Sequence, residues 1–155
     1  VKIAAWSASA PLITARSAMG GSGTSQSAGL ISGGNLGPAS TNLSEEYNGS
    51  GFSAGGTLNT SRLASAGSGT QTAGLITAGY TAPPGSPVSN ATEEYDGSAW
   101  TAGGTLPTAT GEMGAAGTQT ATVAFMGYTN TLVNSSYKYD GTSWTAGNNA
   151  LASLR

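Results

Sequence analysis

EEYDGSAWTAGGTLP, residues 93–107, is nearly repeated by EEYNGSGFSAGGTLN at residues 45–59 and, in shorter form, by YKYDGTSWTA at residues 137–146. A repeat this explicit makes the chain a tandem array of one supersecondary unit, so each residue is read first by its place in that unit. Aligned on the aromatic anchor there are four copies, at Trp6, Phe52, Trp100 and Trp144, with steps of 46, 48 and 44 residues between them. A leucine follows six residues later at Leu12, Leu58 and Leu106, and an arginine ten residues later at Arg16 and Arg62. The last copy slips by one, to Leu151 and Arg155, and the third has Thr110 where an arginine is expected.

Upstream of each anchor stand Tyr47, Tyr95 and Tyr139, each followed by Asn-Gly or Asp-Gly. These pairs tolerate positive φ and predict type I′ hairpin turns. Further upstream, GSGTSQS (21–27), GSGTQTA (67–73) and AAGTQTA (115–121) predict a second hairpin tip. The short apolar runs AGLISGG (28–34), AGLITAGY (73–80) and ATVAFMGY (121–128) lack clean alternation, as expected of strands buried on both faces. Linkers of unequal length then run over residues 35–44, 80–92 and 128–135. The unit is therefore four strands: small-residue, buried, tyrosine and tryptophan. No ten-residue stretch has helical periodicity, so the chain reads as all-β.

The charge balance removes several function classes. A net charge of −2, with only five basic residues, gives no basis for binding nucleic acid or an anionic membrane surface. With no histidine and no cysteine, imidazole bases, thiolate nucleophiles, disulfides and the commonest zinc and copper sites are excluded. No apolar run reaches the roughly 18 residues of a membrane-spanning helix. The start at Val1 is expected of a processed product or a piece of something longer.

Glycine closing a buried strand, then Tyr-Asp, Trp, Leu and Arg, resembles the kelch repeat. The residues that carry the likeness are Gly33, Gly34, Tyr47, Phe52, Leu58 and Arg62 in one unit, and Gly127, Tyr139, Asp140, Trp144, Leu151 and Arg155 in another. The tyrosine-to-tryptophan turn is shorter than in that family, and the double glycine is intact once only. The resemblance implies kelch-like β-propeller blades of four antiparallel strands. Residues 1–155 form one repeat region: a tryptophan strand of a preceding blade (1–16), then blades at 17–62, 63–110 and 111–155. Since a closed propeller takes about 4 to 8 blades, three units plus one strand imply a segment of a longer array, several chains in one ring, or an open arc capped by other proteins. YDGTSWTAG (139–147) with GTQTAGL (69–75) is similar to kelch-like arrays in tail-fibre and virion proteins of bacteriophages, notably those of marine cyanobacteria. That likeness implies a virion structural or host-attachment role, in a virion exterior or tail or otherwise extracellular. The partners it implies are other virion proteins, further copies of the chain, or a host-surface glycan.

The candidate chemical groups are mostly absorbed by the repeat. Glu45-Glu46 and Glu93-Glu94 are adjacent on a strand, so their carboxylates point to opposite faces and do not converge on a substrate. Asp96 and Asp140 read as turn residues, and Arg16, Arg62 and Arg155 as a ring of inter-blade hydrogen bonds or ion pairs, with the glutamates as candidate partners. No enzyme, cofactor or metal site is expected. The variable linkers remain, and if the fold is kelch-like they share one face with the linkers that follow the arginines. Tyr80, Pro83, Pro84, Tyr128 and Asn130 are the expected contacts there, aromatic and amide side chains that suit a sugar or a protein surface. A lectin or a protein-interaction propeller is accordingly the alternative function.

Overall fold

The computed structural model describes residues 9–83 and 87–148. Each repeat folds into one antiparallel sheet whose spatial order is its sequence order. The first blade is β1 (Gly20–Ser25), β2 (Ala28–Ser32), β3 (Ser44–Tyr47) and β4 (Phe52–Ala54). The second is β5 (Ala66–Gly69), β6 (Gly74–Thr77), β7 (Thr92–Tyr95) and β8 (Trp100–Ala102). The third is β9 (Gly114–Thr118), β10 (Ala121–Phe125), β11 (Ser136–Tyr139) and β12 (Trp144–Ala146). The protein is all-β, and its sheets are propeller-like blades. Trp6, Pro84, Leu151 and Arg155 lie outside the described residues, as does the first half of the tryptophan strand expected at 1–16.

The blades stack in sequence order, β1 along β5 and β5 along β9. Small residues on these inner strands permit the approach: a Cβ on Gly67 would stand 2.4 Å from the Gly21 carbonyl oxygen. Between the first two blades lies an apolar layer of Leu30, Leu58, Ile76, Tyr95 and Trp100. Between the second and third lies another, including Leu75, Leu106, Ala124, Tyr139 and Trp144. Trp100 and Trp144 keep only 6% and 7% of their surface, so each wedge is worth about 2 to 3 kcal/mol of burial.

Two local expectations are corrected. Burial on both faces holds for β6, which is buried at every position, but not for β2 or β10. Among the described residues, only the middle blade has a neighbouring blade on each side. The tyrosine-to-tryptophan turn is not a two-residue type I′ turn, because Tyr47 pairs directly with Phe52 and four residues lie between them. Asn48 Oδ1 accepts the N–H groups of Ser50 and Gly51, and only Gly49 of the Asn-Gly pair has positive φ. Asp96 and Asp140 cap their turns in the same way, which leaves nothing for an inverted turn to satisfy.

Near the inner strands a backbone ladder crosses from blade to blade. The Ala64 N–H donates to the Ala18 carbonyl, and the Glu112 N–H to the Ala64 carbonyl, at 2.7 and 3.0 Å. All three residues are left-handed, with φ of 54, 50 and 57°. For a residue with a Cβ that conformation is costly, so the inter-blade bonds must hold it.

Candidate functional site

Charged side chains concentrate in the crevices between blades. Arg62 follows β4 and is fully buried. Its Nη2 donates to Glu93 Oε1 at 2.8 Å, and its Nη1 donates to the carbonyls of Ala78 and Ala91. Glu93, on β7, also accepts the backbone N–H groups of Asn59 and Thr60 and the Asn59 side-chain amide. Arg16 and Glu45 repeat the arrangement before the first blade, with the N–H groups of Ile13 and Thr14 completing the carboxylate. Burial pushes the Glu45 carboxyl up, but the bonds from Arg16, Ile13 and Thr14 outweigh it and leave the group below the usual carboxylate range. Burial pushes the Arg62 guanidinium below its usual range, against the pull of Glu93. Arginine and glutamate thus form the inter-blade pairs that their repeated positions predict.

The second glutamate of each pair points the other way, as strand alternation requires. Glu46 accepts the Tyr95 hydroxyl and Glu94 the Tyr139 hydroxyl, at 2.5 and 2.6 Å, each across to the next blade. The same hydroxyls accept the N–H groups of Gly56 and Gly104. Beside each tyrosine the anchor indole donates across the crevice, Trp100 to Ser44 Oγ and Trp144 to Thr92 Oγ1, both at 2.9 Å. Burial and the adjacent Glu94 raise Tyr139 to about 12, and burial with Glu46 raises Tyr95. Gln71 and Gln119, at the hairpin tips, donate to the preceding blade, to Tyr47 O and to Gly74 and Tyr95 O. Sequence reasoning took these glutamines for tip residues only. Their recurrence beside Gly-Thr was the signal that they do more.

The linker face is assembled by backbone bridges. Leu63 pairs with Tyr80 and Tyr80 with Val88, while Gly111 pairs with Tyr128 and Tyr128 with Leu132. The linkers after the buried strands and those after the arginine positions therefore do meet on one face. Tyr80 is 4% exposed and its ring lies over Gly111, where a Cβ would stand 2.3 Å from Cζ. Its hydroxyl donates to Glu112 Oε1 at 3.3 Å, and burial together with Glu112 raises its pKa. Tyr128, bridged to the same Gly111, is the exposed ring of the pair. Asn130 is exposed and left-handed at φ 82°, Pro83 is half-buried, and Pro84 lies outside the described residues. Exposed apolar side chains gather at the third linker: Met126 just before it, Tyr128 and, at 87%, Leu132. Glu112, Met126 and Leu132 were missed from the sequence because no other unit carries them.

Chemically, the site offers rings, amides and apolar surface with one carboxylate already engaged. Among the described residues, no three Asp, Glu, His or Cys side chains stand close enough together to hold a metal ion. No family model matches the chain, and no curated protein matches it.

Proposed function

We propose that the chain is a non-enzymatic structural or host-attachment module of a bacteriophage virion, built of kelch-like repeats and carried on the particle's exterior or tail. The observation that carries this reading is the use made of the seven carboxylates. Glu45 and Glu93 hold arginines, Glu46 and Glu94 take the next blade's tyrosine, Glu112 takes Tyr80, and Asp96 and Asp140 cap turns. The glutamates tie neighbouring blades together and the aspartates hold turns within a blade, which suits a rigid building block and leaves each acid already engaged. The phage-like wording of the repeats supplies the setting, with other virion proteins or further copies of the chain as neighbours. Mass spectrometry of purified particles tests it: the chain is expected in fixed stoichiometry with the other structural proteins, and its recovery only as free protein would overturn the reading.

Recognition by the linker face is the second reading, favoured by the exposure of Tyr128 and Asn130 beside Met126 and Leu132. An aromatic ring flanked by an amide suits a host-surface glycan, and the apolar neighbours suit a protein. A glycan array probed with the unaltered chain and with Tyr128→Ala separates them. Binding lost in the variant supports a lectin, and no binding by either leaves the structural role alone.

A further inference from the structure

The outward face of the third blade departs from the two equivalent faces that receive a blade. In the strand registers Leu30 stands opposite Glu46, Leu75 opposite Glu94, and Val123 opposite Lys138. Leu30 and Leu75 are each 1% exposed beneath the next blade, whereas Val123 is 37% exposed. The two glutamates accept a tyrosine hydroxyl from the next blade, and an ammonium at that place has no lone pair to offer one. Closest approach is made at Gly56 and Gly104, where a Cβ would stand 2.3 and 2.2 Å from the carbonyl oxygens of Ser98 and Thr142 in the next blade. The third repeat has Asn148 at this position, and so carries the Cβ that the first two exclude. Opposite Val123, Ala116 replaces the hydroxyl of Ser22 and Ser68. Val123, Lys138 and Ala116 border a shallow groove of about 490 Å³.

We propose that this face is an interface for a protein partner other than a repeat of this kind, one that sets a carboxylate against Lys138 and apolar atoms against Val123 and Ala116. Charge complementarity selects the occupant. Lys138 is the one cation among the described residues without an ion pair, and it sits at the centre of the exposed sheet. A second copy is the wrong partner in either orientation. Face to face it would oppose Lys138 to Lys138. Offering its first blade, it would bring Tyr47 and Phe52, a hydroxyl and an apolar ring, with no carboxylate free to meet the ammonium. The acidic partner is the part of the proposal that rests on the chain belonging to a larger assembly. The exclusion of a like blade does not.

Two experiments test these parts separately. In the native assembly, a water-soluble carbodiimide joins a lysine amine to a carboxylate in contact, and the Lys138 peptide is then read by mass spectrometry. An amide linking Lys138 to an Asp or Glu of a different polypeptide is expected. A link to another copy of this chain, or none, overturns the acidic partner. Independently of any particle, a copy of residues 63–104 is joined after Arg155, which stands where Arg62 does, and the hydrogen exchange of its strands is measured. Little protection is expected on the unaltered face, and at least about tenfold more once V123L, K138E and N148G restore the receiving pattern. Equal protection in the two versions would overturn the exclusion of a like blade.

Discussion

The crevice between the first and second blades and the crevice between the second and third share one clamp and differ in what fills them. In both, a Tyr–Trp pair with ring centroids 4.9 Å apart and planes at 34° closes the gap, tyrosine on a glutamate and indole on a hydroxyl. In the first crevice the space behind the clamp holds the buried Arg62–Glu93 pair, completed by the N–H groups of Asn59 and Thr60. In the second, Thr110 stands for the arginine, Tyr137 for the glutamate and Pro107, which has no N–H, for Asn59. Three residues from two separate segments, Pro107 and Thr110 in one and Tyr137 in the other, have changed together. A buried ion pair offsets its desolvation only when every partner is present, so losing one member is worse than losing all. The set behaves as a single device that a crevice either has whole or lacks.

The largest effect should come from what the crevices share. Trp100→Ala and Trp144→Ala are each expected to cost about 3 to 5 kcal/mol in urea unfolding, because each removes a wedge and leaves a cavity, with the Ser44 hydroxyl also losing its indole partner in the first case. Equal losses would mark the clamp as the common source of cohesion. A loss below about 1 kcal/mol at either site would mean that its crevice is held by something else.

Glu93→Ala attacks the difference between the crevices. It strands the fully buried Arg62 guanidinium and should cost about 3 kcal/mol, while Arg62→Thr with Glu93→Tyr, two of the second crevice's three replacements, should recover most of it. A double-mutant cycle measures the recovery. If the pair of changes is as harmful as the sum of the single ones, the two fillings are not interchangeable.

A smaller effect, alike in the two crevices, is expected from the tyrosines. Tyr139 ionises at about 12 in the folded chain against an ordinary value of 10, so its contribution is complete below pH 10 and is lost as pH rises from 10 through 12. Tyr95 is raised for the same causes, burial and a glutamate partner. Tyr139→Phe should cost about 1.5 kcal/mol at neutral pH and blunt the alkaline loss. Tyrosinate absorbance followed against pH checks it. Ionisation of Tyr139 at pH 10 would mean that Glu94 does not hold the hydroxyl.

How far the sequence could be read follows the same division. Whatever repeats was legible: strand order, the tyrosine and tryptophan strands, and the inter-blade role of the arginines, since recurrence separates a structural position from an accidental one; that Glu93 is the partner of Arg62 comes from the structure. Thr110 was noticed as a departure, but Tyr137 and Pro107 were not connected with it, because their meeting depends on a crevice that strand patterns do not describe. The face of Lys138 was hidden for a related reason: a lysine for a glutamate on a strand looks like an exchange of surface charges until its partner tyrosine is known. Tyr80 is expected from the sequence as a contact alongside Tyr128, whereas its ring is buried over Gly111. The same letters serve a ring turned to solvent and a ring laid over glycine, and only the absence of a side chain at Gly111 distinguishes them.

The backbone ladder offers the smallest and most discriminating test, because it joins all three blades through residues that the sequence leaves inconspicuous. Ala64 both donates to Ala18 and accepts from Glu112, at a φ of 50° that a Cβ disfavours. Glycine removes that local cost, but it also gives the unfolded chain more freedom to lose. Ala64→Gly should therefore stabilise by about 0.5 kcal/mol, the part of the left-handed cost that exceeds the added entropy. Because the change deletes no contact in either crevice, it should leave the difference between them untouched, and the Glu93 cycle repeated in its presence should return the same coupling. A destabilisation of similar size would mean that the backbone at Ala64 is not held left-handed, and a changed coupling would mean that ladder and crevice are not independent supports.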